Sequence, residues 1–258
     1  MMTHNMRAWV FRRYPLLYAA LSKIVTRISE SGIPRKYRRW LAAEVHNPTE
    51  LLQLHYAIWV RRDEANRREG FSVALQALDG LPANILETGT SAWGVDSTRL
   101  FDAYAERFGG RFCTIDIRPE PSLRLAGQLG ARTRALVGDS VATLKLVADD
   151  WTEVDLLYLD SYDLDWQDPR PSALHCLAEW NIVVPLFRPG TIIVVDDTPR
   201  TMDFVPSFEP SAAKGALRYL EEVGRMPGKG ELILTEISSR EDFKVLHHSY
   251  SLVVQFSG

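Results

Sequence analysis

The stretch Thr191-Ile-Ile-Val-Val-Asp196-Asp197 is an apolar run that ends in two adjacent acids. Upstream, the run Asp155-Leu-Leu-Tyr-Leu-Asp160 ends in the same way. Such short continuous apolar runs are typical of buried parallel strands, whose carboxyl ends form the ligand-binding edge of open α/β sheets. If the two strands are neighbours, Asp160 meets the acid pair at this edge. Three carboxylates so close together require a cation, a shared proton or a basic partner.

Apolar runs and amphipathic segments alternate over the whole region around these two strands. We predict strands near 83–88, 111–117, 133–138, 154–160 and 191–197, with helices near 96–108, 120–130, 140–149 and 171–184 between them. This alternation favours right-handed crossovers and a parallel sheet. After a helix near 211–224, the apolar runs Glu231–Ile237 and Tyr250–Phe256 are expected to form an antiparallel pair that closes the sheet.

The N-terminal part of the chain has a different pattern and a different charge. Helices are predicted over 6–30, 48–68 and 71–79, so we divide the chain into a helical extension, 1–80, and a main domain, 81–258. The formal net charge is −3, but residues 1–69 carry +7 and the remainder −10. The basic arm is either a solvated helical face or a surface for RNA, anionic lipid or an acidic partner.

Bulk composition points to a globular intracellular protein. The chain has 258 residues, of which 46% are hydrophobic and 24% charged. Two cysteines, Cys113 and Cys176, show no paired spacing, which favours a reducing, cytoplasmic compartment. Charged residues interrupt the apolar stretch Ala8–Ile28, so we expect no membrane span and favour a packing helix over a signal peptide.

Small and acidic residues follow the first three predicted strands. The turn Glu87-Thr-Gly89-Thr-Ser91 follows the first strand, and its glycine would let the backbone approach a ligand closely. It is not a dinucleotide fingerprint, because Ser91 stands where a second glycine is needed. Asp116 ends the second strand and suits ribose hydroxyls or a helix cap. Asp139 and Ser140 follow the third strand, where they suit an adenine or a cap.

The order of these residues resembles class I S-adenosylmethionine-dependent methyltransferases. Successive strands are closed by Glu87-x-Gly89, Asp116, Asp139 and Asp160. The Arg188-Pro-Gly190 turn before the acid pair is similar to that of metal-dependent O-methyltransferases of the catechol and macrocin (sugar) types. The resemblance covers about 83–200 well, the last strands loosely and residues 1–70 not at all. It implies an α/β, Rossmann-like, doubly wound sheet of seven mostly parallel strands with an antiparallel last strand.

The resemblance also implies roles for individual residues. The methionine part of the cofactor would contact Glu87, Gly89, Thr90 and Ser91, the ribose Asp116, and the adenine Asp139 and Ser140. The acids that match Mg²⁺ ligands are Asp160, Asp196 and Asp197. Consecutive strand residues point to opposite faces, so Asp196 and Asp197 can share an ion only if the chain turns there.

One position departs from the family pattern. Relatives often carry a lysine or histidine as base three residues after the first metal acid, and this chain has Asp163 there. His175 is the nearest histidine, although a lone histidine on a helix is more often structural. The candidate catalytic residues are therefore Asp160, Asp163 and His175.

The expected function is metal-assisted O-methylation, by S-adenosylmethionine, of a small hydroxylated molecule such as a sugar, phenol or natural product. Mg²⁺ or another hard cation would polarise the acceptor hydroxyl. A homo-oligomer is expected through the N-terminal helices. Three alternatives stay open: methylation of RNA or protein held by the basic arm, a tailoring protein of the same fold without methyl transfer, and a non-enzymatic protein whose acids cap helices.

Overall fold

The computed structural model describes residues 33–60, 67–91, 95–205 and 210–258, so the helix expected at 6–30 lies outside it. The described chain forms one seven-stranded sheet in the order β3-β2-β1-β4-β5-β7-β6. Its strands are β1 Ala83–Thr88, β2 Gly110–Asp116, β3 Thr133–Val137, β4 Val154–Leu159, β5 Phe187–Val195, β6 Phe243–His248 and β7 Leu252–Phe256. β7 runs antiparallel to both of its neighbours, and the other pairs are parallel. The expected Rossmann-like sheet is confirmed.

Nine helices are described. They are α1 Ile33–Ala42, α2 Pro48–Ile58, α3 Arg68–Leu78, α4 Ser97–Phe108, α5 Pro119–Leu125, α6 Ser140–Asp150, α7 Arg170–Val183, α8 Pro210–Val223 and α9 Glu231–Ile237. Short 3₁₀ turns cover Val184–Leu186 and Met202–Phe204. Asn47 caps α2 by accepting a hydrogen bond from the Glu50 amide at 2.9 Å. None of the described helices is long and apolar enough to cross a bilayer.

The pleat of the strands sends alternate side chains into two cores. On one face, Ile85 and Tyr158 pack with α1–α4. On the other, Leu86 and Leu157 pack with α6, α7 and α9. Because β4 has both faces covered, all its side chains are buried, which explains why it is apolar except for Asp155, whose carboxylate pairs with Arg188. Because β1, β2, β4 and β5 run parallel, the residues that follow these strands lie at the same edge of the sheet.

The expected strand at Glu231–Ile237 is wrong, because this segment is helix α9. Buried Ile233 and Ile237 lie four residues apart and face the sheet through one side of the helix. The sixth strand is instead Phe243–His248, in the polar stretch between the two apolar runs. It lies at the sheet edge, where exposed polar residues such as Lys244 are tolerated. A seven-residue apolar run does not by itself distinguish helix from strand.

Candidate active site

The acid cluster, Asp160, Asp196 and Asp197, forms at the carboxyl edge of the two central strands. β4 pairs with β5 through Leu159 and Val195, so the residues that follow lie side by side. Asp197 adopts a left-handed conformation with φ 44°, which provides the turn that two consecutive acids need. One carboxylate oxygen from each acid lies within 4.8 Å of the others. The structure thus brings the three acids together.

Two basic side chains of the same chain contact this cluster. Lys229 Nζ contacts Asp160 Oδ1 and lies 3.0 Å from Asp197 Oδ2. Arg67 Nε lies 3.1 Å from Asp196 Oδ2, and its Nη2 donates to Asp197 Oδ1 at 3.2 Å. Tyr250 also donates its hydroxyl hydrogen to Asp197. Of the three possibilities open at the start, the structure contains the basic partner.

Burial and these contacts shift the pKa values of the cluster in opposite directions. Burial raises the pKa of Asp160 and of Asp196. Burial acts in the same direction on Asp197, but Lys229 and Arg67 outweigh it and hold its pKa well below the usual range. Desolvation alone would lower the pKa of Lys229, yet the three acids around it raise that pKa above its ordinary value. The three acids thus favour the charged form of Lys229.

The implied Mg²⁺ ion can be tested against these contacts. Three carboxylates form a suitable set of hard oxygen donors. The oxygens are already engaged, however, by two cations that belong to the chain, and the side chain of Lys229 is only 3% exposed. A metal here would have to displace a buried ammonium group. The residues present do not fit a resident divalent ion.

The turn after β1 lies directly against the acid cluster. Gly89 has φ 91°, and a Cβ there would lie 2.3 Å from the carbonyl oxygen of Asp160. Thr90 is fully buried, with its hydroxyl 2.7 Å from that of Thr114. The Ser91 hydroxyl donates to Asp96 and accepts from Arg124, both at 2.8 Å. The turn therefore packs against the end of β4 at a position where only glycine fits.

The buried carboxylate of Glu87 stabilises this turn through hydrogen bonds. Its carboxylate is fully buried and accepts hydrogen bonds from the hydroxyls of Ser97, Thr98 and Thr114 at 2.5 to 2.6 Å. Burial raises its pKa from 4.5 to about 7, although the three hydroxyls act in the opposite direction. The structure thus places Glu87 in a buried network that fixes the turn to α4 and β2.

The raised pKa of Glu87 predicts a pH-dependent stability. Since the folded state binds this proton more tightly than the unfolded state, the contribution of Glu87 is full below pH 4.5 and is lost as the pH rises to about 7. Between about pH 5 and 8, the wild-type free energy of unfolding should fall by about 3 kcal/mol more than that of Glu87→Gln. Urea unfolding at both pH values measures the difference, and parallel profiles would contradict it.

A cleft of about 210 Å³ opens beyond the turn, at the ends of β2 and β3. Asp116, Asp139 and Ser140 line it together with Ser161, Tyr162 and His175. It also includes Ile117, which is 67% exposed. The three residues expected at the ribose and adenine therefore share one cavity. Ile117 and Tyr162 add apolar surface of the kind that a flat base requires.

Two carboxylates of the cleft have partners within the chain. Arg118 donates to Asp116 from Nε at 3.0 Å and from Nη2 at 2.9 Å. The Arg118 side chain is 61% exposed, whereas that of Asp116 is 2% exposed, so the arginine covers the acid from the solvent side. Asp139 caps α6 by accepting from the Ala142 amide at 2.8 Å. Asp139 therefore caps a helix, which is one of the two roles that the sequence suggested for it.

His175 lines this cleft together with Asp116, Asp139 and Ser140. Its Nε2 atom is 2.8 Å from Ser140 Oγ and 3.3 Å from Glu179 Oε1. Since one nitrogen makes both contacts, the group lacks the relay geometry of a serine–histidine–acid triad, which uses both ring nitrogens. The hydrogen bond that His175 donates to the Glu179 carboxylate raises the pKa of His175. Asp163 is exposed in the loop after β4.

Sequence patterns did not reveal the basic partners of the acid cluster. Arg67 belongs to the basic segment that we considered for RNA, and it turns inward instead. Lys229 carried one weak signal, its position between Gly228 and Gly230. Arg118 follows Asp116 by two residues, a spacing common to many surface ion pairs. None of these signals distinguishes a site residue from a surface residue.

Comparison with known proteins gives the fold a context. No protein-family model and no curated protein matches the sequence. A solved MycE methyltransferase from the mycinamycin biosynthetic pathway, in complex with Mg and SAH, matches with a TM-score of 0.52 and 15% identity over 83% of this chain and 55% of MycE. MycE with Mg, SAH and mycinamycin VI gives 0.50 and 14% over 100% and 62%. The SAH-bound Podospora anserina methyltransferase PaMTH1 gives 0.50 and 15% over 93% and 96%.

These likenesses show a shared methyltransferase fold. The chain spans about three-fifths or less of the length of MycE. The Mg and the mycinamycin VI belong to the MycE complexes.

Proposed function

We propose that the protein is an S-adenosylmethionine-dependent O-methyltransferase that acts on a hydroxyl of a small molecule. One observation carries the proposal: the cleft that holds Asp116, Asp139 and Ser140 lies on the same sheet edge as the Gly89 turn and the acid cluster. A nucleoside site and a polar reaction site are thus contiguous. The methyltransferase fold of the solved relatives supports this assignment.

The residues present fit the cofactor. Ile117 and Tyr162 provide apolar surface for the adenine, and Asp116 provides a carboxylate for the ribose hydroxyls once the exposed Arg118 side chain moves away from it. Gly89 lets the turn pack against the carbonyl oxygen of Asp160, and we propose that the methionine part lies along the backbone of this turn. When bound, S-adenosylmethionine supplies an electrophilic methyl group on a sulfonium. The chain must then position an acceptor oxygen in line with that group.

Placement distinguishes the three candidate catalytic residues. Asp160 lies against the Gly89 turn, on the edge where the sulfonium is proposed. His175 lies on the ribose and adenine side of the cleft, and Asp163 is exposed beyond β4. We therefore assign Asp160 to hold the acceptor hydroxyl by a hydrogen bond. His175 is assigned to shape the nucleoside cleft through Ser140.

Calorimetric titration with SAH tests the proposal. The wild-type protein is expected to bind one SAH per chain. Asp116→Ala should weaken binding by about 10- to 100-fold, because hydrogen bonds to a charged group contribute about 1.5–3 kcal/mol. Asp149→Asn, an exposed acid on α6, is the matched control and should bind like wild type. Absence of SAH binding to the wild type would reject the proposed function.

A further inference from the structure

Two side-chain cations that the fold itself supplies contact the three carboxylates of the acid cluster. Lys229 bridges Asp160 and Asp197, and Arg67 bridges Asp196 and Asp197, so each acid has a cationic partner. The two side chains together carry the same formal charge as one divalent metal ion. They also join all three acids, as a metal bound by three carboxylates would.

The position of Lys229 is fixed by its backbone. The Lys229 amide donates to the carbonyl oxygen of Asp197 at 3.0 Å, which ties the lysine to the acids it contacts. A Cβ on Gly228 would lie 2.8 Å from that same oxygen, and a Cβ on Gly230 would lie 2.8 Å from Thr198 Oγ1. Both flanking glycines are thus needed for the close backbone approach that places Lys229 beside the acid cluster.

Arg67 is held from two further directions. Its guanidinium lies 4.9 Å from the centre of the Tyr250 ring, and its Nη2 atom donates to the Tyr250 hydroxyl at 3.2 Å. Tyr250 in turn donates to Asp197. The arginine, the tyrosine and the acid therefore form one closed set of contacts, which restrains the Arg67 side chain against the cluster.

We infer that Lys229 and Arg67 replace a divalent cation at this site, so that the acid cluster is positioned without metal. Both are positioning residues, because they act by holding the carboxylates at the sheet edge. The link to methyl transfer rests on the proposed function. The occupation of the acid cluster by Lys229 and Arg67 does not rest on the proposed function, because it concerns only the charges and contacts of the folded protein.

Titration with Mn²⁺, followed by the loss of its free EPR signal, tests the inference on chelator-treated protein. The wild type should bind no Mn²⁺, and Lys244→Ala, a control at an exposed lysine on β6, should behave like the wild type. Lys229→Ala should gain one Mn²⁺ per chain, bound at least about tenfold more tightly than any Mn²⁺ by the wild type, because removal of the ammonium frees one oxygen each of Asp160 and Asp197 beside the Asp196 carboxylate. Lys229→Arg keeps the charge and should stay free of metal.

Two results overturn the inference: one Mn²⁺ bound per wild-type chain, or no more Mn²⁺ bound by Lys229→Ala than by wild type. If Lys229→Ala does not fold, the near-isosteric Lys229→Gln takes its place and the wild-type titration still decides. SAH calorimetry in the presence of EDTA and of Mg²⁺ distinguishes a failure of this inference from a failure of the proposed function. Failure of SAH to bind rejects the proposed function alone, whereas a Mn²⁺ site in the wild type rejects this inference alone.

Discussion

Replacement of Gly89 by alanine is expected to destabilise the protein by about 3 kcal/mol or more, since backbone strain of this kind alone costs about 1–3 kcal/mol. The added Cβ would lie 2.3 Å from the Asp160 carbonyl oxygen, in a backbone conformation with φ 91°. The contact is with backbone, so it can be relieved only by moving the end of β4. SAH binding should be lost as well, because the same movement displaces Asp160. Urea unfolding and calorimetry measure the two effects.

Gly190→Ala is the control that separates the cost of backbone strain from the cost of a steric clash. Gly190 also has a positive φ, 101°, but a Cβ there would have nothing within 4 Å. Its loss of stability should therefore be limited to conformational strain, about 1–3 kcal/mol. Equal destabilisation by the two substitutions would show that Gly89 is not in close contact with the β4 end.

Replacement of Lys229 by methionine is expected to cost about 3–5 kcal/mol of stability, because removal of one partner leaves buried charges uncompensated. Lys229 contacts two acids, and its side chain is 3% exposed. Lys244→Met, at an exposed position on β6, should change stability by less than about 0.5 kcal/mol. Denaturant unfolding measures both variants.

A double-mutant cycle with Asp160→Asn identifies the partner. If Lys229 and Asp160 stabilise each other, the double variant should be more stable than the sum of the single effects predicts, by about 1–3 kcal/mol. Strict additivity would mean that the lysine contributes only by packing.

The sequence predicts much of the sheet because its strands are buried on both faces. β1 and β4 have apolar, buried centres, and each strand is followed by residues that the fold brings to one edge. The convergence of Asp160 with Asp196 follows from strand adjacency. The end of the sheet was harder to predict, because α9 is short and apolar while the true edge strand is polar.

The charge balance of the site could not be predicted from local patterns. Arg67 reaches Asp197 across 130 residues of sequence, and Lys229 reaches Asp160 across 69. Such pairs depend on how the N-terminal helices and the segment before α9 pack onto the sheet, and neither segment shows a periodic signal for it. Elementary electrostatics did require a counter-charge for three clustered acids. It did not specify whether that charge would be an ion or a side chain.

The most direct test of the proposed function is a crystal structure of the protein with SAH. The adenine is predicted between Ile117 and Tyr162, with the ribose hydroxyls on Asp116 in place of Arg118 and the sulfur beside Gly89. SAH bound at another surface, with Asp116 still paired to Arg118, would contradict the assignment of this sheet edge as the methyl-transfer site.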